Sequence, residues 1–262
     1  LKNIRNQSKR DNKMNDLEQL VWIERFRPRT FEELILEEKV TLLKYLENPK
    51  SIPSFIFFSN RPGTGKTSTA KLIIDYLQCD SRIINSSKER GIDTIREQTS
   101  LFARSLSSNP DVKRCVFLDE ADGLTRQAQD SLRNLMEEYA DNVFFIMTAN
   151  DISKIIEPIR SRCQLINFES PNKAAIVNRL QEICATEKID GDIEALVDHY
   201  YPDMRRMIHV LQEIKVTGRP WRRSEEQFGI FLELIRKKDF VGIRNTVYSG
   251  DFDYVGFNNW FF

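Results

Sequence analysis

The sequence predicts an α/β chain: a parallel β-sheet with helices on both faces, followed by a small all-helical unit. Three observations predict it. Short apolar runs recur at residues 55–58, 82–85, 115–118, 143–148 and 165–168 and read as buried strands. Apolar residues at helical spacing fill the gaps at 67–77, 92–106 and 128–139. After Pro171 the strand-like runs stop and only helical periodicity remains. Strands separated by helices run parallel, because a parallel connection needs a crossover, and crossover helices cover both faces of the sheet.

The elements follow in order. Residues 1–16 are polar and basic, with Lys2, Arg5, Lys9, Arg10 and Lys13. They predict a flexible tail, with a DNA-touching arm as the alternative. The first strand, Phe55 to Phe58, ends in Asn60, Pro62 and Gly63, which signal a loop. The helix at 67–77 comes next, then the second strand, the amphipathic helix at 92–106, the third strand, the helix at 128–139, and the fourth and fifth strands. Helices are predicted at 173–187, 193–200, 204–216 and 225–237, with another beginning near Asp239. The ending is rich in aromatics (Phe257, Trp260, Phe261, Phe262), which suits packing on a partner or the start of a further domain.

Composition narrows the function. The 262 residues are 40% apolar and 30% charged, a globular balance. Lys+Arg and Asp+Glu number 39 each, which weighs against a pure nucleic-acid-binding module but not against a local basic face. Cys79, Cys115, Cys163 and Cys184 form no CxxC pair, and two histidines are too few to suggest a zinc site. No apolar run reaches membrane-spanning length, so a soluble intracellular protein is expected.

The chemistry concentrates after two strands. Arg61, Pro62, Gly63, Thr64, Gly65, Lys66 and Thr67 follow a strand and open a helix, the context a phosphate-binding loop requires. Glycines let backbone N–H groups converge on a phosphate, and the helix N-terminus adds a positive dipole. The ATP-binding set here is Gly63, Thr64, Gly65, Lys66, Thr67 and Ser68. Lys66 would reach the β- and γ-phosphates and Thr67 would ligate Mg²⁺. The position six before the lysine, normally Gly, is Asn60. Asn tolerates left-handed backbone, so the turn is expected to survive. Asp119 and Glu120 end the third strand. Asp119 would hold Mg²⁺, and Glu120 would orient or deprotonate the attacking water. Asn150 ends the fourth strand, where its amide would touch the γ-phosphate or that water.

Together these residues resemble the AAA+ clamp-loader family, most closely the small subunits of replication factor C and the phage clamp-loader ATPase. The likeness covers about residues 20–215. It is carried by the stretches 22–28 (Trp-Ile-Glu-Arg-Phe-Arg-Pro), 89–96, 119–122 with Ala128, Gln129, Leu132 and Arg133, 153–163 ending in Ser-Arg-Cys, and 202–206 (Pro-Asp-Met-Arg-Arg). The resemblance implies an AAA+ nucleotide-binding domain at 17–169, a helical lid domain at 170–223 and the beginning of a helical collar at 224–262. It implies that Ile23, Glu24, Arg25, Phe26 and Ile35 enclose adenine and ribose. Arg162 would be an arginine finger for the neighbouring subunit's ATP, and Arg205 a lid cation for its own γ-phosphate, with Arg206 as rival. Arg90 would restrain the catalytic Glu until DNA binds. Arg96, Arg126 and Arg133 are candidate phosphate contacts to DNA. The implied function is ATP-driven loading of a ring-shaped clamp onto primer–template DNA, stimulated by both. The implied setting is a ring or spiral of clamp-loader subunits, a pentamer by resemblance. The alternatives are another AAA+ machine for branch migration or replication initiation, or a non-hydrolysing scaffold subunit.

Overall fold

The computed structural model describes residues 21–89, 91–169, 171–218, 221 and 224–248. The expected tail at 1–16, Arg90 and the aromatic ending at 257–262 lie outside the described residues. Five strands form one sheet: β1 (Ser54–Phe58), β2 (Ser81–Asn85), β3 (Arg114–Asp119), β4 (Val143–Ala149) and β5 (Cys163–Asn167). Every pairing is parallel and the order is β2-β3-β4-β1-β5. The predicted fold class is therefore observed.

The helices are α1 (Trp22–Arg25), α2 (Lys39–Leu46), α3 (Lys66–Leu77), α4 (Ile92–Arg104), α5 (Arg126–Glu138), α6 (Glu157–Arg160), α7 (Lys173–Glu187), α8 (Ile193–Tyr200), α9 (Met204–Thr217), α10 (Ser224–Arg236) and α11 (Phe240–Tyr248). Their starts are written in the sequence. Thr125, Asn172, Asp192 and Asp203 each accept a backbone N–H three residues on, capping α5, α7, α8 and α9.

The central strands β1, β3 and β4 read as unbroken apolar runs because both of their faces are buried, whereas the edge strands β2 and β5 keep exposed and polar positions. Phe55, Phe57, Phe117, Phe144 and Ile146 point to the face covered by α2 and α3. Ile56, Val116, Leu118, Phe145 and Met147 point to the face covered by α4 and α5. Phe57 is fully buried between Phe55 and Phe168. Truncating such a ring to Ala costs about 3–5 kcal/mol.

A third core lies among α7, α8 and α9, built from Ile176, Leu180, Ile183, Leu196, Val197, Met207, Ile208 and Leu211. Trp22 belongs to this core, and Ile23, Phe26 and Ile35 pack against it. The Trp22 backbone N–H donates to Gln212 Oε1 at 3.3 Å. Trp22 to Phe26 thus pack with the C-terminal helices, while Phe31, Leu34 and Leu36 of the following segment join the sheet core. The strand order puts the carboxyl ends of β3, β4 and β1 side by side, and the loops leaving them form a crevice facing that helical unit.

Candidate nucleotide-binding cleft

A cleft of about 270 Å³ lies between the strand ends and the helices. Its floor is the turn from β1 to α3. Gly63 and Gly65 take φ of 70° and 99°, a left-handed backbone that glycine adopts without strain. Asn60 does not take a positive φ, so the expected left-handed role for it is not used. The turn instead closes through Ser59, whose hydroxyl accepts the Arg61 N–H at 3.1 Å.

Lys66 opens α3 and is buried. Its Nζ donates to the carbonyls of Ser59 (3.2 Å) and Arg61 (3.1 Å). Burial pulls its pKa below the ordinary lysine value, with Asp122 and Asp119 opposing that shift and Arg205 adding to it. The Thr67 hydroxyl donates to Asp119 Oδ1 at 2.9 Å. The Thr148 hydroxyl donates to the same oxygen at 2.6 Å, and accepts the Glu120 N–H at 2.9 Å. The sheet register makes this convergence: Thr148 pairs with Phe57 on one side and follows Met147, the partner of Leu118, on the other. Glu120 sits at φ 57°, ψ 47°, a left-handed conformation uncommon outside glycine. It turns the carboxylate out of the strand line, where it accepts a hydrogen bond from the Ser87 hydroxyl.

Of the residues singled out in the sequence, Ile23, Phe26, Ile35, Gly63, Thr64, Gly65, Lys66, Thr67, Ser68, Asp119, Glu120, Asn150 and Arg205 all line the cleft. Glu24 and Arg25 do not. Glu24 is bonded to Arg27, and Arg25 pairs with Glu187 of α7 at 2.6 Å. Arg162 is exposed on another surface, bonded to the Pro158 carbonyl (2.6 Å) and paired with Glu137 (2.5 Å). Arg96 is exposed at the start of α4. Arg126 is exposed at the start of α5, 3.9 Å from Asp130. Arg133 is half-buried and bonded to Asn134, with a buried Nε that has no partner. Arg206 stands over the Tyr200 ring, outside the cleft wall.

Sequence reasoning missed Arg27, Thr148, Ser87 and the apolar wall of Ile176, Met204 and Ile208. Thr148 was legible as the strand-end hydroxyl before Asn150. Ser87 carries no local signal that distinguishes it from Ser86.

The donor set fits Mg²⁺ and not a protein-only metal site. Thr67 and Asp119 converge, but among the described residues no three His, Cys, Asp or Glu side chains cluster. Mg²⁺ keeps waters and takes only one or two protein ligands beside phosphate.

Residues 56–170 match the family model described as ATPase family associated with various cellular activities (AAA). The replication factor C small subunit of Sulfolobus acidocaldarius is 37% identical over 244 residues, covering 90% of this chain and 74% of that protein. That of Saccharolobus solfataricus is 38% identical over 245 residues, covering 90% and 73%. The chain belongs to the replication factor C small-subunit family. It is accordingly a nucleotide-binding AAA ATPase and a subunit of the clamp-loader class, as the sequence led us to expect. Solved structures of the Thermotoga maritima RuvB Holliday junction branch migration motor share the fold, at TM-score 0.58 and 16% identity over 78% of this chain and 67% of that one. That likeness extends to fold alone, and the branch-migration alternative is not favoured. Among the described residues no helix is long and apolar enough to cross a membrane.

Proposed function

We propose that ATP fills this cleft, with its base against Phe26, Ile35, Met204 and Ile208 and its phosphates along the turn at 63–67. The observation that carries the proposal is the meeting of Lys66, Thr67, Asp119 and Thr148 at one end of a cleft whose other end is apolar. Thr67 and Asp119 would hold Mg²⁺, which when bound neutralises charge on the β- and γ-phosphate oxygens. Lys66 contributes a cation already tethered near the phosphates, and Asn150 a polar group beside the terminal one. Glu120 acts as the water-orienting carboxylate. The Ser87 hydroxyl holds it, so Ser87 shares the restraining role assigned to Arg90. Arg205 reaches in from α9 and couples the lid to the γ-phosphate.

Arg162 does not line its own cleft and is exposed, which suits a cation supplied to a neighbouring subunit's ATP. Several such subunits, a pentamer by family resemblance, would form a spiral that holds a sliding clamp and primer–template DNA. DNA would meet Arg90, Arg96, Arg126 and Arg133, mainly through phosphates, so binding would be tolerant of sequence and weakened by salt. Hydrolysis would then remove the contacts that favour the gripping state. ATP drives this only through unequal affinity for the two states.

The test is steady-state ATP turnover by the assembled complex with and without clamp and primed DNA. The two together should raise turnover at least several-fold. Turnover indifferent to both would sink the clamp-loading reading while leaving the ATPase intact.

A further inference from the structure

Arg27 lines the cleft, and none of the roles above uses it. Its side chain is about one-fifth exposed, at 20%. Nε donates to Glu24 Oε2 at 3.0 Å, Nη2 donates to Glu24 Oε1, and Nη1 donates to Ser68 Oγ at 3.3 Å. Two parallel bonds to one carboxylate fix the plane of a guanidinium, which a lysine in the same place would not achieve. Ser68 lies in the first turn of α3, one residue beyond Thr67. Arg27 therefore bridges two bodies: the N-terminal segment packed into the helical core through Trp22, and the helix that carries the phosphate loop.

Its place along the cleft is informative. Lys66, Thr67 and Asp119 mark the end for the terminal phosphates. Phe26, Ile35, Met204 and Ile208 mark the apolar end. Arg27 directly follows Phe26 and touches Ser68, so it sits where the two ends meet. In a nucleotide lying along this axis, the group at that junction is the α-phosphate, which joins ribose to the phosphate chain. The charge there is favourable. Arg27, Lys71 and Arg205 all act on Glu24 and hold its carboxyl below the usual carboxylate range, the hydrogen bond from Arg27 contributing most. Arg27 and Arg205 line the cleft as well as acting on that carboxylate, so an anion in the cleft could meet both.

We propose that Arg27 binds the α-phosphate of the nucleotide, with Glu24 as the brace that aims it. Arg27 thereby ties occupancy of the cleft to the position of the N-terminal segment. This inference rests on the proposal that a nucleotide fills the cleft.

The experiment is calorimetric titration of the full chain with ATP and ADP, with AMP and adenosine measured by competition. Arg27→Gln should weaken ATP, ADP and AMP by a common factor of about tenfold or more, the scale of one lost charge-assisted hydrogen-bonding contact, and leave adenosine unchanged. Arg27→Lys, which keeps the charge and loses the fork, should show a smaller loss with the same ligand pattern, and it decides the matter if the Gln variant does not fold. Affinities unchanged in both variants would overturn the proposal. So would an equal loss for adenosine, which would make Arg27 a structural brace only, or a loss absent for AMP, which would place it on a later phosphate. Wild-type protein that binds no nucleotide would take down both proposals. Wild-type binding with unaffected variants takes down this one alone.

Discussion

The two walls of the cleft are built on opposite terms. The sheet-borne wall is polar and internally bonded: Thr67 and Thr148 share one oxygen of Asp119, Thr148 takes the Glu120 N–H, and Lys66 is tied to two loop carbonyls. The helix-borne wall is mostly apolar, with Ile176, Met204 and Ile208 facing inward and Arg205 reaching in as an exposed cation. The groups proposed to meet phosphate stand on strand ends, or on the turn and helix that follow a strand, none of which can shift without disturbing the core. The groups proposed to enclose the base stand in or against the helical core. The walls approach each other closely at Gly63, where a Cβ would lie 1.9 Å from Asp203 Oδ1 and 3.2 Å from the Arg205 backbone nitrogen. Glycine there serves both the positive φ and this approach.

The severest way to break the contrast is to remove the polar wall's fixed charge. Lys66→Ala should weaken ATP binding by about a hundredfold or more, the scale of lost charge-assisted contacts to phosphate, and abolish turnover. Equilibrium titration with ATP checks it. Unchanged affinity would show that the sheet-borne wall does not carry the phosphates.

A second prediction adds a wall from outside. Arg162→Ala should leave ATP binding by the isolated chain unaltered and depress hydrolysis in the assembled complex by roughly a thousandfold. The same loss in the isolated chain would mean that the arginine works on its own subunit's nucleotide, contrary to its exposed pairing with Glu137.

A third separates chemistry from holding within the polar wall. Glu120→Gln should keep ATP affinity within about twofold and cut turnover by about a hundredfold or more. Wild-type turnover in a single-cycle assay would remove the water-orienting role.

The same contrast explains what was legible in the sequence. The sheet-borne wall could be read because its residues sit at strand ends or in the loop and helix start that follow one: Lys66 and Thr67 after the glycine turn that leaves β1, Asp119 and Glu120 at β3, Asn150 after β4. Strand limits came out within about two residues because the central strands, buried on both faces, demand apolar side chains and even the edge strands β2 and β5 keep a short apolar pair. The helix-borne wall was legible only as helices. Nothing local marks Met204 or Ile208 as cleft-lining rather than core, since either fate asks for an apolar residue at helical spacing. Arg27 was hidden differently. Its partners Glu24 and Ser68 lie 3 and 41 positions away, and it is the packing of the segment after α1 on α3, where Phe31 meets Tyr76, that brings the second one near.

The mildest effect tests the buried ammonium directly. Burial lowers the Lys66 pKa from its ordinary 10.5, so between the folded value and 10.5 the unfolded chain binds more protons than the folded one. In that window the nucleotide-free fold gains stability from this group as pH rises, because the desolvated charge disappears. Nucleotide affinity runs the other way. Phosphate favours the charged amine, so binding takes up a proton once pH passes the depressed value, and affinity falls as pH climbs. Titrations with ADP at rising alkaline pH below the ordinary lysine value should show affinity falling in the wild type and a flat profile in Lys66→Ala. Opposite slopes for stability and affinity would identify one buried group as their common source. Parallel slopes would mean that a different group titrates, and that the lysine's charge is not what the polar wall stores for the phosphate.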